Sequence, residues 1–376
     1  MSTADAIVVG AGPAGLSAAI ALRMAGAGVV VLEQLRSPQP RVCGAFVSPE
    51  GAVCLDALGV RPRIGAESAP VGEARLTWLE KGEARVAVSR GGKAGIAVPR
   101  PVLERAMAER LADLGGTVRW GARVTGAAPR AGGWTVEVSR GSARERLDSR
   151  WLVVADGRFS TLSGRPLAKT RAGWFGWNAS FAGVDQPPGA LSLHFGRRGY
   201  VGVLTFADGT TNVCGLVRQD LADRWSWEEV VASALDEQPA LARLLRRAVR
   251  RSAFHGVGPL PFAPKPWPAD GRILAGDAAA VGDPYMGEGI SRALGTGPAL
   301  TAALGRGGPG DGANGLAARY GAAWRRRYRP RLKLGAGTRW LLLHPRAGSA
   351  ALDLVASHPR LLAFVLSRAH GVSCRP

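Results

Sequence analysis

Apolar positions along the chain fall into three patterns. The first is the short unbroken run. Ala6–Val9, the "GVVVLE" stretch ending at Glu33, the start of "WLVVADGRFSTLSG" and Ile273–Ala275 are apolar and largely β-branched or aliphatic. Such runs, bounded by turn residues, predict strands covered on both faces. The second is alternation. "ARLTWLEKGEARVAVS" and "LSLHFGRRGYVGVLTFADGTTNVCGLV" alternate between polar turns and predict antiparallel strands. The third is helical. Leu16–Ala25 has helical composition, and residues 98–124 read as an amphipathic helix followed by a strand. "SWEEVVASALDEQPALARLLRRAV" predicts a helix with Ser226 as its cap and Glu229 three residues on. "RGGPGDGANG" (306–315) predicts a loop, and two helical segments follow it to the end of the chain.

The order of elements around the first run carries chemistry. A strand, then Gly10-x-Gly12-x-x-Gly15 with Pro13 and Ala14 in the loop, then a helix, a second strand and Glu33 arrive in sequence. This is the order that a dinucleotide-binding unit requires. Gly10 suits the tight turn, Gly12 the close approach of a pyrophosphate, and Gly15 the packing of helix on strand. The helix start offers free N–H groups to phosphate. Glu33 suits the hydroxyls of an unphosphorylated ribose. The plainer alternative is a glycine-rich turn in another α/β protein.

Two later strand ends repeat the theme. One stops at Asp156-Gly157, the other at Gly276-Asp277, followed by Pro284-x-x-Gly287-Glu288-Gly289-Ile290. With "GAGPAG" and Glu33, these motifs resemble the FAD-dependent oxidoreductases that include aromatic hydroxylases, flavin halogenases and geranylgeranyl reductases. The resemblance spans almost the whole chain. It implies an α/β fold: a Rossmann-like FAD-binding domain in three pieces (1–65, 96–165 and 265–305), an antiparallel-sheet substrate domain (66–95 and 166–262) roofing the flavin, and a helical C-terminal region (306–376). It also implies non-covalent FAD. Asp277 would bind the ribityl chain, Gly287–Ile290 would face the pyrimidine side of the flavin, and Val124 would hold adenine through its backbone. Arg100 would lie near the flavin or its phosphates; read plainly, it is a surface charge at a helix start. Gln34, Arg41, Gly44 and Ala45 complete the expected cofactor contacts.

Arg41-Val42-Cys43-Gly44 is similar to a segment of the reductase branch. Ala280, where aromatic hydroxylases carry His, and "GEGI" instead of Gly-Gln-Gly point the same way. Cys43 is the candidate catalytic residue, orienting substrate or donating a proton; alternatively it packs beside the ring. Two departures limit the likeness to the reductases, and the first stands against a long prenyl substrate. Tyr200 matches the reductases' cavity strand, but Gly202, Leu204 and Thr205 replace its Trp, Phe and Pro. Ala45 replaces the second Gly after the cysteine. "GWFGWNASF" lacks the Ile-Pro of the halogenase signature. The expected function is therefore reduction of a small, largely apolar metabolite, at a C=C bond or by related flavin chemistry. The alternatives are a monooxygenase of an aromatic or polyketide-like compound and, from another class, an electron-transfer or RNA-modifying flavoprotein. No second glycine fingerprint in strand–turn–helix context is visible, so electrons are expected from transiently docked NAD(P)H or from a reduced carrier protein.

Composition changes this picture little. The 376 residues are 46% hydrophobic, enough for about two domains. The charge of +20 attracts anions, but the arginines are scattered. "RLLRRAVRR" and "WRRRYRPRLK" fit packed amphipathic helices with snorkelling arginines better than membrane-surface or nucleic-acid contact. The four cysteines, at 43, 54, 214 and 374, form no Cys-x-x-Cys and sit beside no histidine at ligand spacing, so no metal is expected. The five histidines suggest no acid–base constellation. Without a signal peptide or a stretch of roughly 20 apolar residues, the expected location is the cytoplasm, with a membrane-peripheral position as the alternative.

Overall fold

The first apolar run becomes the strand Thr3–Val9. In the computed structural model, which describes residues 3–78, 82–87, 89–90, 93–164, 173–262, 267–306, 313–342 and 344–358, it lies between Val29–Glu33 and Ala143–Val154 and is parallel to both. Thr117–Trp120 extends this sheet in parallel beyond Val29–Glu33. Ile273–Leu274 adds to the C-terminal end of Ala143–Val154. The runs are unbroken because both faces are covered: Ile7, Val8, Val31, Leu152 and Val153 are all buried. The helix Pro13–Met24 packs against Thr296–Leu304. Ser17 locks the two together, its Oγ donating to Leu294 O at 2.5 Å and accepting from Gly297 N at 2.9 Å. A β-carbon on Gly297 would lie 2.6 Å from Ser17 O, so the helices can approach this closely only at a glycine.

A second sheet runs in the order Trp174–Ala182, Thr211–Arg218, Gly199–Thr205, Leu191–Phe195, Glu73–Trp78, Gly82–Ala87. The expectation of an antiparallel sheet fails at one pair. Leu191–Phe195 is parallel to Glu73–Trp78, with Leu191 opposite Ala74 and Phe195 opposite Trp78. No hairpin joins these strands, so no turn dictates their direction, and a long connection permits the parallel pairing. The sheet is mixed. Alternation gives it two faces. Trp177, Phe181, Val203 and Val213 pack on the back against the helices Trp227–Glu237 and Pro239–Leu245. The predicted capping box forms: Ser226 Oγ accepts from Glu229 N at 3.2 Å and Glu229 Oε2 from Ser226 N at 2.7 Å. The single helix expected after it is two, because Gln238 leaves helical geometry and Pro239 starts again at a position where no N–H is needed.

The C-terminal region is the helix Ala313–Leu342 followed by Pro345–Ser357, so helix begins inside the stretch expected to be a loop. Residues 307–312 of that loop, the tail after His358 and Cys374 lie outside the described residues. The arginine-rich run divides between two faces. Arg327, Arg331 and Arg339 turn inward to Glu50, Glu288 and Asp283, whereas Arg326 and Arg329 are exposed. Trp324 and Tyr328 pack into the core beside them. Among the described residues, no helix is long and apolar enough to cross a membrane.

Candidate active site

One cavity of about 1050 Å³ runs from the glycine loop to the front of the second sheet. Its first part is built at the C-terminal edge of the parallel sheet, where ligands of open α/β sheets bind. Gly10 has φ +99° and follows the strand; a β-carbon there would sit 2.4 Å from Ala155 O. Gly15 faces inward, and its β-carbon would lie 1.9 Å from Gly10 O. Gly15 is the one expected cofactor residue that does not line the cavity; it lets the helix pack under the loop instead. Gly12, Pro13 and Ala14 do line it. The helix they open has no side-chain cap, which leaves N–H groups of its first turn for a ligand. Glu33 has a task that its position in the sequence does not reveal. Its two oxygens accept from Ala11 N at 2.7 Å and Leu35 N at 2.9 Å, which pins the loop to the second strand. Gln34 and Val124 line the wall beside it.

Arg100 is not a surface charge. Its guanidinium pairs with the buried Glu104, approaches Cys43 Sγ at 3.8 Å, and is the nearest group to the β-carbon position of Gly12, at 3.9 Å. This places a cation beside the phosphate-facing loop. Cys43 is half-buried, and its sulfur accepts from Ala45 N at 3.3 Å. Asn178 and Asn212, on the second sheet, donate to the carbonyls of Arg41 and Cys43 at 3.3 and 2.9 Å. The Arg41–Ala45 segment is thus stitched to the sheet and lines the cavity together with Gly44. Ala45 has φ +56°, the left-handed region, and is the one non-glycine residue with positive φ among those described. The second glycine missing from the reductase-like motif falls at this strained position. Ala45→Gly is expected to stabilise the protein by about 1 kcal/mol, read as a higher urea midpoint at unchanged m-value. A lower midpoint would show that no strain is stored there.

At the opposite wall, Asp156, Gly276, Asp277, Pro284, Gly287, Gly289 and Ile290 all line the cavity. Asp277 is held by the buried Arg292 at 3.2 Å, with Arg158 3.7 Å from its other oxygen. Gly287 adopts φ +65°, and a β-carbon on Gly289 would meet nothing within 4 Å. Bare N–H groups at a helix start, open space over Gly289, a fixed carboxylate at Asp277 and a buried cation at Arg100 suit a dinucleotide of FAD's size.

Beyond the dinucleotide part, the front of the second sheet supplies Leu193, Tyr200, Gly202, Leu204, Cys214 and Leu216. Tyr200 stacks edge-on against Tyr285, ring centroids 5.9 Å apart. The Tyr285 hydroxyl donates to Gly335 O at 2.5 Å, in the long C-terminal helix. Leu334, Thr338 and Leu341 of that helix close the far side. These helical residues and Tyr285 escaped the sequence reading. Their spacing of four and three marks one helix face, but nothing in it names what the face meets. Burial pushes the Cys214 thiol up to about 12, with Cys43 adding to the effect, and raises the Tyr200 and Tyr285 phenols well above their ordinary range. The three groups stay neutral at working pH.

Residues 3–189 match the FAD binding domain family. The chain is 26% identical over 316 residues to an FAD-dependent urate hydroxylase of Klebsiella pneumoniae, covering 77% of this chain and 78% of that one. It is 27% identical over 356 residues to a menaquinone reductase of Mycolicibacterium smegmatis, covering 85% and 79%. A flavin-dependent brominase shares the fold, with a TM-score of 0.81 at 18% identity over 98% of this chain and 94% of that one. The chain is an FAD-dependent oxidoreductase whose residues 3–189 match the FAD binding domain family and whose fold is shared with a flavin-dependent brominase.

Proposed function

We propose that the chain is a monooxygenase that places one oxygen atom of O₂ on a neutral, flat, largely apolar compound. The observation that carries this reading is the largely apolar face that the described residues of the second sheet turn towards the cavity. Ala74, Leu193, Phe195, Leu204 and Phe262 form its described walls, and its ionisable Tyr200, Tyr285 and Cys214 are held neutral by burial. Bound FAD, once reduced, supplies the oxygen chemistry. The chain supplies the rest. Asp277 and the Gly287–Ile290 turn would hold the flavin, the apolar wall and C-terminal helices would exclude water, and Tyr200 would offer the substrate one neutral hydrogen-bond donor. The likeness to a urate hydroxylase supports the same reading.

A reductase is the second reading, favoured by the Arg41–Gly44 segment beside the cavity and by the likeness to a menaquinone reductase. Either reaction would draw electrons from NAD(P)H or a reduced carrier protein. Turnover of neutral aromatic compounds under ¹⁸O₂ separates the two. The monooxygenase reading expects one labelled oxygen per product molecule; a product that gains two hydrogens and no label would overturn it.

A further inference from the structure

Three elements meet behind the flavin-facing turn. They are the helix Pro49–Ala57, the Gly287–Gly289 turn and the helix Ala313–Leu342. Their meeting point is a buried cluster of charge. Arg331, 8% exposed, donates to Glu50 Oε2 at 2.9 Å and, more weakly, to Glu288 Oε1 at 3.3 Å. Arg327 holds the other oxygen of Glu50. Glu50 therefore has two cations, while Glu288 shares one of them. Ser48 strengthens the junction: its backbone N–H and its hydroxyl both donate to Ser291 Oγ, at 2.9 and 2.8 Å. Glu288 itself is flanked by Gly287 and Gly289, whose backbones line the cavity, while its own side chain turns away from it into the cluster.

We propose that Glu288 is a redox-linked proton acceptor, taking up a proton when the flavin in front of its turn is reduced. The balance is simple. Two electrons from NAD(P)H, or from a chemical reductant, enter the flavin together with one proton. The added negative charge beside the turn then draws a second proton from solvent onto the Glu288 carboxylate. Nothing else changes oxidation state. A nearby like charge raises a carboxylate's pKa, most of all where water is excluded. Glu288 is already poised for this: burial pushes it up to about 7, Arg331 and Arg292 pull it down, and Glu50 pushes it up again. Those three are the charged groups facing it, from the long C-terminal helix, its own short helix and the helix after Ser48. Below about pH 7 the carboxyl is protonated in both redox states and takes up nothing. Above that it is ionised with oxidised flavin and binds a proton on reduction, until the pH passes its raised value in the reduced state.

The test is the midpoint potential of the FAD-loaded protein, measured spectroelectrochemically between about pH 6 and pH 9. The slope reports protons taken up per electron pair. In a window opening above about pH 7, the wild type is expected to take up as much as one proton more than Glu288→Gln. The flavin's own ionisation is common to both and drops out of the comparison. Glu50→Gln removes a like charge and is expected to move the window to lower pH. Identical slopes in wild type and Glu288→Gln would overturn the proposal. If Glu288→Gln does not retain FAD, the comparison of wild type with Glu50→Gln decides, and an unmoved window overturns it. No substrate or oxygen enters the measurement, so its outcome is independent of the monooxygenase reading.

Discussion

Gly10→Ala is expected to leave the protein unable to retain FAD. The φ of +99° at this residue is one that alanine avoids, and the new β-carbon would lie 2.4 Å from Ala155 O, a backbone atom just past the end of the neighbouring strand that cannot swing aside. The loop must move to relieve the clash. Gly12 then no longer presents its backbone to the pyrophosphate, and the hydrogen bond from Ala11 N to Glu33 is disturbed. Strain and overpacking together cost about 3 kcal/mol, which is roughly a hundredfold in affinity. Equilibrium dialysis against FAD reads the loss directly. An affinity within about threefold of wild type would show that the loop tolerates a side chain here and that the pyrophosphate is held elsewhere.

Gly202→Trp acts at the other end of the cavity. Gly202 lies in the middle of the sheet's open face, beside Cys214 and Leu193 on the neighbouring strands. A β-carbon there would approach Leu193 Cδ2 at 3.2 Å and Cys214 Sγ at 3.3 Å, both ends of side chains that can shift. The backbone therefore survives the change, while the indole projects into the space over the flavin. FAD affinity is expected to stay within about twofold, and binding of neutral aromatic ligands to fall at least ~100-fold, because the trench they need is filled. Ligand binding is read from perturbation of the flavin visible spectrum. Unchanged ligand affinity would place the substrate somewhere other than against this face.

The two substitutions differ in how far the sequence alone could foresee them. The role of Gly10 is local: a strand, a tight turn and a helix within a short stretch leave few other uses for three glycines at that spacing. Gly202 is legible only as a departure, a glycine where the reductases carry a bulky residue. That it opens a trench follows from the partners that strand pairing sets beside it. The sequence suggests a ribose contact for Glu33 but does not reveal it as the clamp on its own loop. Arg100 stayed undecided until the fold carried Cys43 and Gly12 up to it. The cluster of Glu50, Glu288 and Arg331 was beyond reach, since Arg331 and Glu50 stand 281 positions apart. In the sequence, Arg331 is one more arginine in a basic run that fits a packed helix better than a membrane face or RNA, with nothing to say which acid it meets. Burial of its partners is what separates these, and burial is a property of the whole fold.

The central claim is that one cavity holds FAD and a neutral, apolar compound side by side. The most direct test is to titrate neutral aromatic compounds into the FAD-loaded wild-type protein while recording the flavin spectrum. One tightly but non-covalently held FAD per chain is expected, with a saturable spectral perturbation by neutral ligands that weakens when the ligand carries a carboxylate. A protein that takes up no FAD, or whose flavin responds to charged ligands alone, would contradict it.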